Sequence, residues 1–308
     1  MRALAVRRLV LLVPTVLGVV TLVFAFLHLL PGDPVEIMLG EWAAPADVAG
    51  LRRELGLDRP LAVQYARFLV HAARGDLGHS IAFRAPVGRV IAARYPATLE
   101  LAAAALVLAL IFAVPLGVLA AVRRGSVVDR AARLASLVGV CLPSFWLGPL
   151  LMLGFSIRLG WLPVSGRGGL AHLVLPAVTL ALGMAGILVR LTRASLLAAL
   201  GEDYVRAARA KGAPPWRVVG VHALRNALVP VVAVLGLQAG AVLAGAIITE
   251  TVFAWPGLGR LLVQAIQARD YPLVQGCVLA IGLSYVAVNT AADLLAGVID
   301  PRLTEDAR

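Results

Sequence analysis

Six stretches of this chain are free of aspartate, glutamate, lysine and arginine: Leu9 to Leu30, Leu101 to Val122, Leu134 to Ile157, Leu170 to Val189, Ala227 to Thr249 and Tyr271 to Ala292. A helix rises 1.5 Å per residue, so about 20 apolar residues cross roughly 30 Å of hydrocarbon. Within lipid every backbone N–H and C=O must be paired inside the segment, and a helix does this for runs of this length. The expected fold is an all-α membrane protein with six transmembrane helices. Composition agrees, with 60% hydrophobic and 15% charged residues and a mean hydropathy of +0.90. Soluble domains carry about 45–50% apolar and about 25% charged residues.

The first stretch follows Arg2, Arg7 and Arg8. It is longer than a signal-peptide core and runs into Pro31-Gly32-Asp33-Pro34 without a small-x-small cleavage site, so it is expected to stay as the first span. Short segments on one side hold Arg2, Arg7, Arg8, Arg123, Arg124, Arg130, Arg133, the seven cations between Arg190 and Arg225, and Arg302 and Arg308. The other side's short loops hold Arg158, Arg167, Arg260 and Arg269. Positive charge favours the cytoplasm, so both termini are expected inside. The long loop Pro31 to Glu100 nearly balances its eight arginines with acids, and long loops translocate regardless of charge.

The net charge of +11 raises the possibility of nucleic acid. Its dispersal among apolar runs argues instead for topogenic arginines and against nucleic-acid binding. Cys141 and Cys277 both fall inside apolar runs, which reads as small buried hydrophobes rather than a disulfide or metal site.

The external segment reads as helical. Asp47 can cap a helix through Leu51 and Leu55. Asp58-Arg59-Pro60 opens a second, with Leu61, Tyr65, Phe68, Leu69 and Ala72 on one face and Gly75 as its stop. That stripe is expected to bury against the mouth of the bundle. Between the last two spans, Pro256-Gly257 precedes Leu258, Leu261, Leu262, Ala265 and Ile266, the pattern of a short helix at the outer interface.

Gly201 to Leu228 is the most informative loop. Glu202 and Asp203 stand at a helix start, and Arg209 and Lys211 in its last turn, both favourable to the macrodipole. Gly212 ends the helix, Pro214-Pro215 forces a bend, and a helix resumes from Trp216 to Leu228. The expected product is a helix-turn-helix knuckle. Its arginines and Trp216 are residue types enriched where partners bind, although a solvated topogenic loop would also be basic.

Tyr204-Val205-Arg206-Ala207-Ala208-Arg209-Ala210-Lys211-Gly212, followed by His222-Ala223-Leu224-Arg225-Asn226-Ala227-Leu228-Val229-Pro230, resembles the EAA loop of binding-protein-dependent ABC importer permeases. The dipeptide, oligopeptide and nickel branch is the most similar. The same branch is matched by Pro31-Gly32-Asp33-Pro34, Gly75-Asp76-Leu77-Gly78 with Ser80, and Pro143-Ser144-Phe145-Trp146. It is matched again by Glu250-Thr251-Val252-Phe253, Pro256-Gly257-Leu258-Gly259 and Arg269-Asp270-Tyr271-Pro272. Arg206 departs from the general motif's Glu, and His222 to Arg225 from its I-x-L-P end, as in the peptide branch.

This resemblance implies a type I importer permease in the bacterial inner membrane, with a first span (1–30), an external segment (31–93), a permease core (94–297, coupling loop 201–228) and a short tail (298–308). It implies a homologous second permease subunit, two cytoplasmic ATPase subunits that hold ATP-Mg, and an extracytoplasmic solute-binding protein. Tyr204, Arg206, Ala207, Ala208, Arg209, Lys211, Gly212 and Trp216 would then form the ATPase-coupling loop. Peptides are the expected solute, with nickel chelates, glutathione or another small solute as alternatives.

The residues themselves bear on the energy source. The single lysine, Lys211, lies between Ala210 and Gly212, outside any GxxxxGK[ST] context, so no ATPase of that type is encoded. An ion-coupled carrier would need ionisable groups within the spans, and only His28 and His172 qualify. HExxH and GxSxG are absent, so no enzyme is expected, and no cofactor or metal is expected on this chain. Gly236, Gly240 and Ala244 form a small-residue stripe suited to helix packing. Gln238, Glu250 and Pro256 are the candidate pathway or gate residues, and Asp293 is a further packing or gate candidate.

Overall fold

The computed structural model describes residues 2–29, 35, 44–54 and 57–299. Pro31-Gly32-Asp33-Pro34, Leu55, Arg302 and Arg308 lie outside the described residues, as do the side chains of His28, Asp47, Ala244 and Asp293.

Among the described residues, helix α1 (Arg2–Leu29) is followed by the short helices α2 (Pro45–Glu54) and α3 (Leu61–Ala73). A two-stranded hairpin of β1 (His79–Ser80) and β2 (Ala85–Pro86) pairs His79 with Pro86 and Ser80 with Ala85. Helix α4 (Val87–Val122) runs without a break across the expected 93/94 boundary and begins fourteen residues before the apolar stretch. Then come α5 (Val127–Cys141), α6 (Ser144–Leu151) with a π-helical extension (Met152–Arg158), and α7 (Leu170–Gly201). The knuckle contains α8 (Asp203–Ala210), α9 (Pro215–Arg217) and a π-helical stretch (Val218–Ala223) that continues into α10 (Leu224–Val252). Helices α11 (Leu258–Gln267) and α12 (Tyr271–Ile299) complete the described residues.

Four helices among the described residues are long and apolar enough to cross a bilayer: Val87–Val122, Leu170–Gly201, Pro215–Leu243 and Tyr271–Ala292. The third expected span is not one rod. Val127–Cys141 and Ser144–Arg158 are bent by 105° and count as a fifth crossing only if taken together. Proline lacks an N–H and pushes the residue before it out of the helical region. Accordingly Leu142 is extended, at φ −77° and ψ 116°, and α6 starts afresh after Pro143. In α1, Leu12–Ala25 forms a shorter apolar stretch.

The core lies between α4, α7 and α10. Ala102, Ala105, Ala109 and Ala113 of α4 face Ala181, Met184, Ala185, Leu188 and Val189 of α7, with Val231, Val242 and Leu243 of α10 closing the group. Small residues let backbones approach without a hydrophobic drive between lipid-embedded helices. Gly117 shows how closely: a β-carbon there would lie 2.6 Å from Thr192 Cβ. Gly236 and Gly240 pack the same way against Ala292 and Asn289 of α12, so this stripe is a helix-packing face.

The external helices differ from expectation in what covers them. Tyr65 and Phe68 of α3 stack on Phe24 of α1, at ring distances of 5.3 and 5.8 Å, and Tyr65 Oη shares a 2.6 Å hydrogen bond with Thr21. The stripe therefore rests on the first helix rather than on the bundle mouth, and Leu61 is 60% exposed. Helix α2 begins at Pro45, before the cap position expected at Asp47. Past α3, the Gly78 amide and then His71 bind Asp76 and hold its carboxyl below its ordinary value.

Helix α11 buries Leu258, Leu261, Leu262 and Ala265 against Val87, Ile91, Leu273, Val274 and Cys277. It is seated on protein rather than lying free on the interface, and Ile266 faces outward, 55% exposed. Cys277 is buried as expected, but Cys141 is exposed, because it ends α5 at the bend.

Candidate functional site

The knuckle forms where α7 stops. Glu202 is extended, at φ −72° and ψ 152°, and α8 starts at Asp203, which pairs with Arg206 one turn on. Gly212 adopts φ +79°, and its amide donates to the Arg209 carbonyl at 2.9 Å. The Ala213 amide closes the helix end on the Ala208 carbonyl at 3.2 Å. A β-carbon at Gly212 would meet nothing within 4 Å, so the glycine is required by backbone conformation and not by space. Pro214 and Pro215 turn the chain, with Pro215 at the first helical position, where its missing N–H costs nothing.

Two valines anchor this projection. Val205 and Val218 insert among Ala121, Leu196, Ala199, Ala223 and Ala227, at the ends of α4, α7 and α10. Each such burial is worth about 1.5–3 kcal/mol. The opposite face is left open: Tyr204, Arg206, Ala207, Arg209, Lys211 and Gly212 are exposed, and Trp216 is 66% exposed with the Arg217 guanidinium 5.3 Å from its ring centre. Ala208 is half-buried and belongs to the seam rather than to the open face. The expected α-helix from Trp216 contains a π-helical stretch, Val218–Ala223, a geometry frequent at functional positions.

The three pathway candidates do not converge. Gln238 is half-buried without a hydrogen-bond partner among the described residues. It precedes Glu250 by twelve residues, about 18 Å along the helix. Pro256 is half-buried in the turn before α11. Glu250 is fully buried and holds that turn together. Its carboxylate accepts from Thr98 Oγ1 at 2.7 Å, from the Gly259 amide at 2.7 Å and from the Arg260 amide at 3.1 Å. The Leu258 amide donates to Thr98 at 2.8 Å. An acid on α10 and a threonine on α4 thus satisfy the orphan amides and the positive end of α11. These are packing contacts, one of the two roles expected for Glu250. Gly257 and Gly259 make room: β-carbons there would lie 2.2 Å from Glu250 Oε1 and 2.4 Å from Ile247 Cα. Trp255 donates to the Ala97 carbonyl at 2.8 Å beside this cluster.

Two motif fragments that are 190 residues apart meet in a second cluster. Ser80 Oγ donates to Asp270 at 2.5 Å, the Ala82 amide donates to the same oxygen at 3.0 Å, and the Leu273 amide to the other at 3.2 Å. The hairpin is pinned to the start of α12.

A third buried carboxylate, Asp129, lies near the knuckle and was not singled out by its sequence context. Arg193 Nε donates to Oδ1 at 2.6 Å and Nη2 to Oδ2 at 2.8 Å, and the Gly125 amide donates to Oδ2 at 2.9 Å. Arg193 and Arg133, counted above as topogenic, are partners of this acid. The signal was present as Ser126-x-x-Asp129, a helix-start pattern, and Ser126 Oγ does accept from the Asp129 amide at 3.3 Å.

Comparison with known proteins places this architecture. The family described as binding-protein-dependent transport system inner membrane component matches residues 113–305, and its N-terminal counterpart matches residues 1–102. The dipeptide transport system permease protein DppB of Escherichia coli K12 is 45% identical, with 96% of this chain and 97% of that protein covered. The di/tripeptide permease DppB of Pseudomonas aeruginosa is 44% identical at the same coverage. So is the glutathione transport system permease protein GsiC of Salmonella paratyphi A. A chain of the MetNI methionine ABC transporter in an inward-facing structure superposes with a TM-score of 0.58 at 20% identity, over 68% of this chain and 96% of that one.

The family match and the end-to-end identity to transport permeases, together with helices of membrane-crossing length, make this a multi-pass inner-membrane permease of the ABC importer type. The chain belongs to the family of binding-protein-dependent transport system inner membrane components, whose members work with an ATPase and a solute-binding protein.

Proposed function

We propose that this chain carries small peptides of the di- and oligopeptide class into the cell as one half of a heterodimeric permease. The observation that supports the solute class is end-to-end identity of 44–45% to permeases named for dipeptides, di/tripeptides and glutathione, itself a tripeptide. The knuckle end faces the cytoplasm and both termini lie inside, with six crossings in all. Tyr204, Arg206, Ala207, Arg209, Lys211, Gly212 and Trp216 present the contact surface to an ATPase subunit, with Ala208 on its seam. ATP-Mg is bound by two such subunits and none by this chain. A binding protein delivers the peptide at the far end, and closure of the ATPase dimer draws the paired knuckles together and reverses the access of the cavity.

The experiment is reconstitution of the four-subunit complex with its binding protein in proteoliposomes and measurement of ATP-dependent uptake of labelled dipeptide, tripeptide and glutathione. Accumulation of at least one of these is expected. Uptake of none, in vesicles that hydrolyse ATP on addition of the binding protein with a different solute, rejects the peptide assignment. In native membranes a cysteine at Lys211 is expected to crosslink to a nucleotide-hydrolysing subunit. A crosslink only to lipid or to other membrane chains rejects the coupling surface.

A further inference from the structure

A knuckle serves a transporter only if its displacement moves helices within the bilayer. The contact between α5 and α7 is made largely of small groups: a β-carbon on Gly139 would lie 2.9 Å from the Leu182 carbonyl oxygen, and one on Gly186 would lie 2.5 Å from that of Ser136. Close packing of small residues brings the backbones together but contributes no directional polar contact. Asp129 and Arg193 supply what the surface lacks. The carboxylate is enclosed at 1% exposure, and the guanidinium reaches both of its oxygens, at 2.6 and 2.8 Å. A planar fork on two oxygens fixes direction as well as distance, which a single ammonium contact does not. The Gly125 amide on the same carboxylate extends the connection to the turn between α4 and α5, and Arg133 adds a contact at 3.5 Å. Arg193 stands on the helix that ends in the knuckle, eight residues before Gly201, about 12 Å along its axis.

We propose that Arg193 and Asp129 are positioning residues that make α5 and the α4–α5 turn follow α7 when the knuckle is driven, so that ATP hydrolysis is converted into solute movement. This rests on the permease reading given above. The clasp touches neither solute nor ATPase, and its role is to keep two moving elements in register.

The test is the number of solute molecules moved per ATP hydrolysed by the complete complex in proteoliposomes, for Asp129→Asn, Arg193→Gln, Arg193→Lys and the exchange Asp129→Arg with Arg193→Asp. Each single variant is expected to keep its hydrolysis rate within about twofold while the transport ratio falls about fivefold or more, the scale on which single residues alter coupling. The exchange is expected to recover part of that ratio, which a packing defect would not. Should Asp129→Asn fail to accumulate in the membrane, Arg193→Lys decides, because it keeps the charge and loses only the fork. A ratio unchanged in Arg193→Lys, or hydrolysis and uptake falling in parallel in every variant with no recovery in the exchange, overturns the proposal while leaving a coupled wild type in place. A wild-type complex that hydrolyses ATP but takes up none of the offered peptides rejects the peptide reading alone, and the ratio is then measured with the solute whose binding protein stimulates hydrolysis.

Discussion

The two ends of the bundle are built on opposite plans. At the far end the polar groups are turned inward: Glu250, Thr98, Asp270 and Ser80 are buried and bound to backbone amides or to each other. At the knuckle itself two valines are turned inward and Arg206, Arg209, Lys211 and Trp216 are turned out, while the buried Asp129 and its partner Arg193 stand behind it on α5 and α7. A buried carboxylate with several donors is costly to disturb from any direction, so such an end holds one arrangement. A surface whose anchors are apolar and whose charged groups are exposed can be seized without breaking anything internal. Mutations should therefore act on stability at one end and on coupling at the other.

The largest effect is expected at Gly259. Its backbone lies against Ile247, and a β-carbon there would fall 2.4 Å from Ile247 Cα. Gly259→Val forces α10 and α11 apart and should cost about 4 kcal/mol, enough to remove the protein from the membrane fraction. Quantitative blotting of membranes checks this, and normal accumulation with normal uptake would break the contrast between the two ends.

Glu250→Ala comes next. It leaves Thr98 Oγ1 and the Gly259 and Arg260 amides short of an acceptor in a buried site. The expected cost is about 3 kcal/mol, read as a lower melting temperature of the purified permease. Glu250→Gln, which keeps an acceptor oxygen, should lose less. Equal losses would show that the carboxylate's charge on the α11 terminus matters more than its hydrogen bonds.

Gly212→Val should be smaller in stability and larger in function. A β-branched residue at φ +79° is strained by about 1–2 kcal/mol, and the strain is confined to one exposed turn. The protein is expected to reach the membrane at normal levels and to lose ATP-dependent uptake, because α8 and α9 no longer meet at the same angle. A variant with full uptake would mean that the angle of the knuckle is not what its partner reads.

What the sequence made legible divides along the same line. Helix positions followed from runs of apolar residues, and the knuckle from Gly212 and Pro214-Pro215, because these are local signals. The hydrogen bonds of Glu250 are not legible locally, since its donors come from Thr98 on α4, 152 residues away, and from the turn of α11. Ser80 and Asp270 each stood in a quoted motif, but nothing local says that the two motifs touch. Pro143 sat in the middle of an apolar run whose length suggested one span, and the 105° bend arises where the ring removes an amide donor. Arg193 was counted only by its charge, whereas its partner lies on another helix.

Trp216→Ala should have the smallest effect on stability and is the sharpest probe of the comparison. The side chain is 66% exposed, and among the described residues its ring contact is with the neighbouring Arg217. An exposed contact of this kind contributes at most about 0.5–1 kcal/mol, so the melting temperature should hardly move. An exposed tryptophan beside arginines is nevertheless the composition of a binding hot spot, where truncation costs about 2 kcal/mol or more of association. The isolated permease should therefore resemble wild type, while the ATPase subunit binds it at least about thirtyfold more weakly. Co-purification of the ATPase at graded concentrations measures this. Unchanged affinity would move the contact surface off Trp216 and onto α8, leaving Arg206, Arg209 and Lys211 to carry it.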